Sequence, residues 1–219
     1  KLDFHWIRLH YLYPEWIDDR LIDVIAREDK ILKYLDIPLQ HCNDKILKKM
    51  NRRGDKKYLC ALLDKLRERI PGLVLRTSII AGLPGEGEEE FDELCDFLRE
   101  QKLLRAGVFP YSPEEGTRAA KMERVDSDEA ARRAERIVDI QSEIIDAWND
   151  ERQGDVMEVL CEGFDGQAML FVGRSYAESP DIDGRIYFSA PRDVAAGEFV
   201  PVRITGAMDG ELTGELAEE

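Results

Sequence analysis

The chain has 219 residues, 43% of them apolar and 35% charged, with a formal net charge of −15. These fractions belong to a globular chain rather than a disordered one, the length admits one large or two small domains, and no apolar run approaches the roughly 20 residues of a membrane helix. The charge is uneven: residues 153–219 hold 14 acids against 4 arginines and no lysine, and residues 1–152 hold 32 acids against 27 bases, so the tail repels phosphate, which disfavours DNA and tRNA, and suits a basic partner.

The chain starts at Lys1, in what reads as a strand, with no signal sequence. The expectation is a cytoplasmic protein represented by a fragment whose natural N-terminal part is missing. Phe4–Tyr11 alternates and is aromatic-rich, a first strand. Pro14 and Asp18-Asp19 open a helix that turns Leu21, Ile22 and Ile25 to one side. Tyr34–Ile37 is a second strand, stopped by Pro38. A short helix over 44–50 follows, then a longer one from Asp55 that carries Leu59, Leu62, Leu63, Leu66 and Ile70 and stops at Pro71-Gly72. Leu73–Ile80 is a third strand, β-branched and nearly continuous, as in a sheet covered on both faces. Glu88-Glu89-Glu90 occupies the first turn of the next helix, where the macrodipole favours anions. A fourth strand spans about Gly107–Tyr111. Asp126 begins a long helix, with Glu129 placed for a capping box.

Strands recurring every 30–40 residues with helices between them indicate an α/β class and a parallel sheet. Past residue 152 the pattern changes. Val156–Leu160, Gln167–Val172, Arg185–Phe188, Phe199–Ile204 and Glu211–Leu216 are short strands separated by Asp-Gly turns. They predict a small antiparallel β-barrel of the OB-like kind over 153–219. Cys42, Cys60, Cys95 and Cys161 are scattered, as are His5, His10 and His41. Neither set has metal-ligand spacing, and four reduced thiols are expected.

Three unusual segments follow predicted parallel strands: Ile37–His41, Ile80–Glu86, and Phe109–Ser112 leading to Gly116-Thr117. The C-terminal edge of a parallel sheet is where α/β folds bind ligands. Gly82 and Gly85 allow close backbone approach, Gln40 and Ser112 offer neutral hydrogen bonds, and Arg76 brings a cation. Arg76 equally suits an ion pair within the sheet, and Tyr111 a core aromatic with its hydroxyl satisfied.

The stretches Tyr13–Ile22, Tyr34–Gly54, Ile80–Glu86 and Phe109–Thr117 resemble the later half of the radical-SAM methylthiotransferases. Val172–Gly184 resembles their C-terminal TRAM domain. The likeness covers essentially the whole chain. It lies nearest the RimO branch, which acts on an aspartate of ribosomal protein uS12, because Gln40-His41-Cys42-Asn43-Asp44 stands where tRNA-modifying members usually read Gln-Ser-Gly-Ser-Asp.

The resemblance implies the C-terminal part of a radical-SAM (TIM-like) parallel β/α barrel over 1–152 and a TRAM barrel over 153–219. It implies a transferase that uses S-adenosyl-L-methionine (SAM) and two 4Fe–4S clusters to methylthiolate the β-carbon of the aspartate. The family holds the radical-SAM cluster on a C-x-x-x-C-x-x-C loop and the second cluster on three cysteines of an N-terminal domain. Neither motif is present, so this chain by itself is expected to be inactive. Gln40, Arg76, Ser78, Ile80, Gly82, Tyr111 and Ser112 are the expected SAM contacts. Arg174, Tyr176, Asp181 and Asp183 are the expected substrate contacts. The expected partner is uS12 or the small ribosomal subunit. The alternatives are a tRNA methylthiotransferase of the same superfamily and a non-catalytic module that docks a basic ribosomal protein.

Overall fold

The computed structural model describes residues 3–217 and divides into two compact units, 1–144 and 145–219.

The first unit is built on four strands in the order β1 (Ile7–Leu9), β2 (Ile31–Asp36), β3 (Val74–Ala81) and β4 (Arg105–Pro110), all pairing parallel. Helices α1 (Asp19–Arg27), α2 (Asp44–Lys49), α3 (Lys56–Arg69), α4 (Glu88–Gln101) and α5 (Ser127–Glu151) join or follow them. Asp18 caps α1 by accepting the Leu21 N–H at 2.8 Å, and Asp55 caps α3 through Tyr58 N–H at 2.7 Å. Asn43 caps α2 through the N–H groups of Lys45 and Ile46.

One face of the sheet is dry. Leu75, Ile79 and Ala81 join Leu62, Leu66, Phe91, Leu94 and Ile137 in a single core. Alternation along β3 sends Arg76, Ser78 and Ile80 to the other face, where they are only half-buried. The cover expected on both faces is therefore present on one, because the second face is polar: Asp36 pairs in register with Arg76, and the Arg8 guanidinium lies 4.2 Å from the centre of the Tyr34 ring. The first strand is shorter than the expected Phe4–Tyr11. It forms only where Ile7 and Leu9 pair with β2, and Tyr11 has left extended geometry at φ 58°. The Asp126 carboxylate accepts the Asp128 N–H, while Glu129 turns to Arg132 and Arg133 instead of closing a capping box.

The second unit is a closed barrel in the order β5 (Val156–Asp165), β6 (Leu170–Arg174), β7 (Ile186–Ser189), β9 (Glu211–Leu216), β8 (Phe199–Met208). Val159, Cys161, Ile186, Phe188, Val200, Val202 and Leu212 fill it, and Trp148 from the last turns of α5 packs against them. The compact division thus falls inside α5. Four pairings are antiparallel and β7–β9 is parallel, so the barrel is not purely antiparallel. A tight Asp209-Gly210 hairpin reverses β8 into β9, which then closes beside β7 in the same direction. β5 continues to Asp165, and β6 starts at Leu170 rather than Gln167. Asp165 accepts the N–H groups of Gln167 and Ala168 and bends them into a turn.

All four cysteines are free thiols. Cys42, Cys95 and Cys161 are buried, and burial raises each thiol's pKa above its ordinary value. Among the described residues no helix is long and apolar enough to cross a membrane.

Candidate functional site

The loops after β2, β3 and β4 all leave the same edge of the parallel sheet. The loop after β2 continues pairing past the strand's end. Gln40 donates its N–H to Ser78 O at 2.8 Å, its carbonyl accepts the Ile80 N–H at 3.0 Å, and Leu39 N–H reaches Thr77 Oγ1. Gln40 does this at φ 69°, a left-handed conformation that a residue with a long side chain rarely adopts. Such strain persists where surrounding bonds over-determine it, and it concentrates at functional sites.

After β3 the chain turns at Gly82, φ 80°, directly against α5. A Cβ there would lie 2.5 Å from Ala130 Cβ. Tyr111 prolongs β4 by donating its N–H to Ala81 O at 2.8 Å. Its hydroxyl is buried with no hydrogen-bond partner among the described residues. Of the expected SAM contacts, Gln40, Gly82 and Tyr111 lie at this rim and Ser112 is exposed just beyond, while Arg76, Ser78 and Ile80 lie along β3 on the polar sheet face. Arg76 is not a loose cation. Its guanidinium is 3.1 Å from Asp36 Oδ1, and Gly107, the register partner of Ser78, leaves room for it.

A buried polar clasp holds these loops, and sequence reading did not single it out. Glu86 is 3% exposed. Its Oε1 accepts from Gly82 N–H at 2.9 Å and Arg133 Nη1 at 2.9 Å, and its Oε2 lies 3.3 Å from His41 Nε2. His41 Nδ1 accepts the Asn43 N–H at 2.9 Å, which leaves the ring proton on Nε2, facing Glu86. Arg133, itself buried, also binds Glu129 and Glu88 and lies over the Phe91 ring. Burial alone would push the Glu86 carboxyl's pKa up. The His41, Gly82 and Arg133 contacts outweigh that and hold it below its usual value. One carboxylate therefore joins the loops after β2 and β3 to α5.

The comparisons with known proteins agree with this architecture. Residues 2–98 match the radical SAM superfamily, and residues 154–217 match the TRAM domain. The ribosomal protein uS12 methylthiotransferase RimO of Acetivibrio thermocellus is 45% identical over 215 residues, which is 98% of this chain and 48% of that protein. The enzyme of the same name from Symbiobacterium thermophilum is 46% identical over 97% of this chain and 44% of its own length. Over nearly its whole length the chain is similar to these methylthiotransferases, and its two matched segments are a radical SAM and a TRAM segment. It spans about half the length of the curated relatives it matches. In fold it is similar to the radical-SAM enzyme coproporphyrinogen III oxidase (HemN) of Escherichia coli, with a TM-score of 0.53 at 21% identity over 64% of this chain and 32% of that one.

In the TRAM barrel the four expected substrate contacts are not equivalent. Asp181 is exposed, at φ 65°, on the loop after β6. Arg174 is tied to Glu162 at 2.8 Å. Tyr176 packs against the barrel core, where burial raises its pKa. Asp183 accepts the Ser179 N–H at 2.8 Å and shapes the loop. Glu178, 1% exposed, holds the same loop through Ser175 N–H and Oγ at 2.8 and 2.6 Å. Of the four, Asp181 alone presents an exposed side chain, and the other three are structural members of the loop or barrel wall.

The unsatisfied Tyr111 hydroxyl gives a first testable outcome. A buried hydroxyl without a partner costs about 1–3 kcal/mol. Tyr111→Phe is therefore expected to be at least as stable as the parent in urea denaturation. A loss above about 1 kcal/mol would mean that the hydroxyl is bonded.

Proposed function

We propose that this chain is the SAM-cradling and substrate-reading portion of an enzyme that methylthiolates the β-carbon of an aspartate in ribosomal protein uS12. The observation that carries the reading is the identity of 45% over 98% of the chain with proteins bearing that name, across both the sheet edge and the barrel. The residues at the sheet edge fit SAM. The Tyr111 hydroxyl is a buried polar atom without a partner among the described residues, and Gln40 is held in a left-handed conformation at the same sheet edge. When bound, SAM supplies the radical that activates the target carbon. This chain's residues orient it: the rim groups fix the nucleoside, and the Asp36–Arg76 pair on the sheet face holds a fixed dipole beside it.

An iron–sulfur cluster does not fit this chain. Among the described residues no group of three or more Cys, His, Asp or Glu is placed to hold a metal.

The acidic TRAM unit, with 14 acids to 4 arginines over 153–219, would meet the basic surface of the ribosomal protein. Two measurements test the reading. Immobilised chain is expected to retain uS12 in preference to another ribosomal protein of equal basicity, and failure to discriminate would overturn the substrate assignment. By ligand-observed NMR, 5′-methylthioadenosine, the part of SAM that these residues would meet, is expected to receive saturation transfer from the chain. Gln40→Ala, Arg76→Ala and Tyr111→Phe are each expected to weaken that binding several-fold. Unchanged binding in all three would remove the SAM assignment.

A further inference from the structure

The loops at the sheet edge enclose a second feature beside the SAM cradle. A cleft of about 610 Å³ opens between the end of α2, the β3–α4 loop and the connection from β4 to α5. Lys49, Arg118 and Arg124 line it together with the apolar Pro84, Met122 and Val125. The three cations are exposed and have no ion-pair or hydrogen-bond partner among the described residues. This runs against the composition of a chain with 46 acids and 31 bases. The contrast with neighbouring cations is direct: Lys45 is held by Glu90, Lys56 by Glu93 and Arg133 by Glu86. Two carboxylates also line the cleft. Glu86 is neutralised inside the clasp, and Glu123 is exposed.

The sequence around the cleft strengthens the sign. Residues 44–54 hold five bases, Lys45, Lys48, Lys49, Arg52 and Arg53, against Asp44 alone. The connection over 111–126 that brings Arg118 and Arg124 is 16 residues with one short 3-10 turn, a length that compact folds reserve for functional loops. Apolar side chains and unpaired cations in one cleft match a nucleotide, whose base packs on the apolar groups while its phosphate meets the charges. A volume of this size falls within the range for such ligands.

We infer that this cleft binds the phosphate backbone of RNA, separately from the protein-reading surface of the TRAM unit. The inference goes beyond the methylthiotransferase reading and does not depend on it. The two units would then engage a ribonucleoprotein by opposite charge, with the acidic barrel on its protein and the basic cleft on its RNA.

The test is fluorescence anisotropy with a labelled 12-nucleotide single-stranded RNA, titrated with the whole chain at several salt concentrations. The triple variant Lys49→Gln, Arg118→Gln, Arg124→Gln is expected to bind at least tenfold more weakly at low salt. Its log–log salt slope is expected to be shallower by about 2, since each lost phosphate contact removes about 0.7. The charge-preserving triple variant Lys49→Arg, Arg118→Lys, Arg124→Lys is expected to keep binding, which separates charge from any effect on folding. Arg185→Gln with Arg192→Gln, on the barrel unit, is expected to leave RNA binding unchanged. Competition by unlabelled RNA, but not by inorganic phosphate or polyglutamate at equal charge concentration, assigns the ligand. Four outcomes overturn the inference: no RNA binding at 50 mM salt, equal binding by the neutralised variant, loss confined to the barrel variant, or equal competition by phosphate or polyglutamate. Loss of uS12 capture with RNA binding intact would instead defeat the substrate reading alone.

Discussion

Gly82→Ala is expected to destabilise the radical-SAM unit by about 2–5 kcal/mol and to abolish binding of the adenosine probe. Two costs combine. At φ 80° an alanine pays the left-handed penalty of about 1–2 kcal/mol. Its Cβ would also sit 2.5 Å from Ala130 Cβ and 3.1 Å from Ala130 Cα, so α5 must move, and overpacking of this kind costs about 1–3 kcal/mol. The melting temperature should fall by on the order of 10 °C. Gly85→Ala is the internal comparison. Its φ of 85° carries the same backbone penalty, but the atom its Cβ meets is the tip of Lys49, which can swing away. Gly85→Ala should therefore cost only the first term. Adding Ala130→Gly to Gly82→Ala should recover the packing term at a helix-propensity cost of about 1 kcal/mol. Equal losses in Gly82→Ala and Gly85→Ala would show that the approach of α5 carries no energy.

The contrast between these glycines also marks what the sequence makes legible. Strand and helix signals are local, and they placed most elements within a few residues. The apolar run at Val74–Ala81, the caps at Asp18 and Asp55 and the Asp-Gly turns of the barrel each act on neighbours only a few positions away. Positive φ at both glycines was foreseeable from a Gly-Leu-Pro-Gly turn. That Gly82 abuts a helix was not, because its partner lies 48 positions on, at Ala130. The parallel β7–β9 pairing was hidden for the same reason: strand direction depends on closure of the barrel, not on any residue in either strand.

The clasp was missed by a related route. Glu86, His41 and Arg133 look like separate polar residues in a chain with many, and only the fold shows that all three are buried together. The resemblance carried Glu86 as part of a motif but gave it no partner. Arg76 shows the converse. It was read as a cofactor contact with an ion pair as the alternative, and the structure places it in the ion pair while keeping it on the polar sheet face.

Removing the carboxylate of the clasp is the second large effect. Glu86→Ala leaves Arg133 buried beside the weaker, more exposed Glu129 and Glu88, and the Gly82 N–H unsatisfied. Breaking a buried pair from one side costs about 3–5 kcal/mol. Glu86→Gln keeps an acceptor for Gly82 and Arg133 and should cost less, about 1–3 kcal/mol. The pH dependence separates charge from shape. The Glu86 carboxyl is held below its ordinary value in the folded state, so its charge contributes stability that is fully present above the unfolded value of about 4.3 and is lost as pH falls through the folded one. The stability gap between the parent and Glu86→Gln, measured by urea denaturation, should therefore be widest at pH 7 and close progressively below about pH 4. The other depressed carboxylates, Asp19, Glu90, Glu93, Asp165 and Glu198, are common to both proteins and cancel in the difference. A gap that stays constant from pH 7 to pH 3 would mean that the clasp holds by hydrogen-bond geometry alone. A closing gap ties the strained Gln40 and the turn at Gly82 to one ionised group, so that acid would loosen both loops at the sheet edge together.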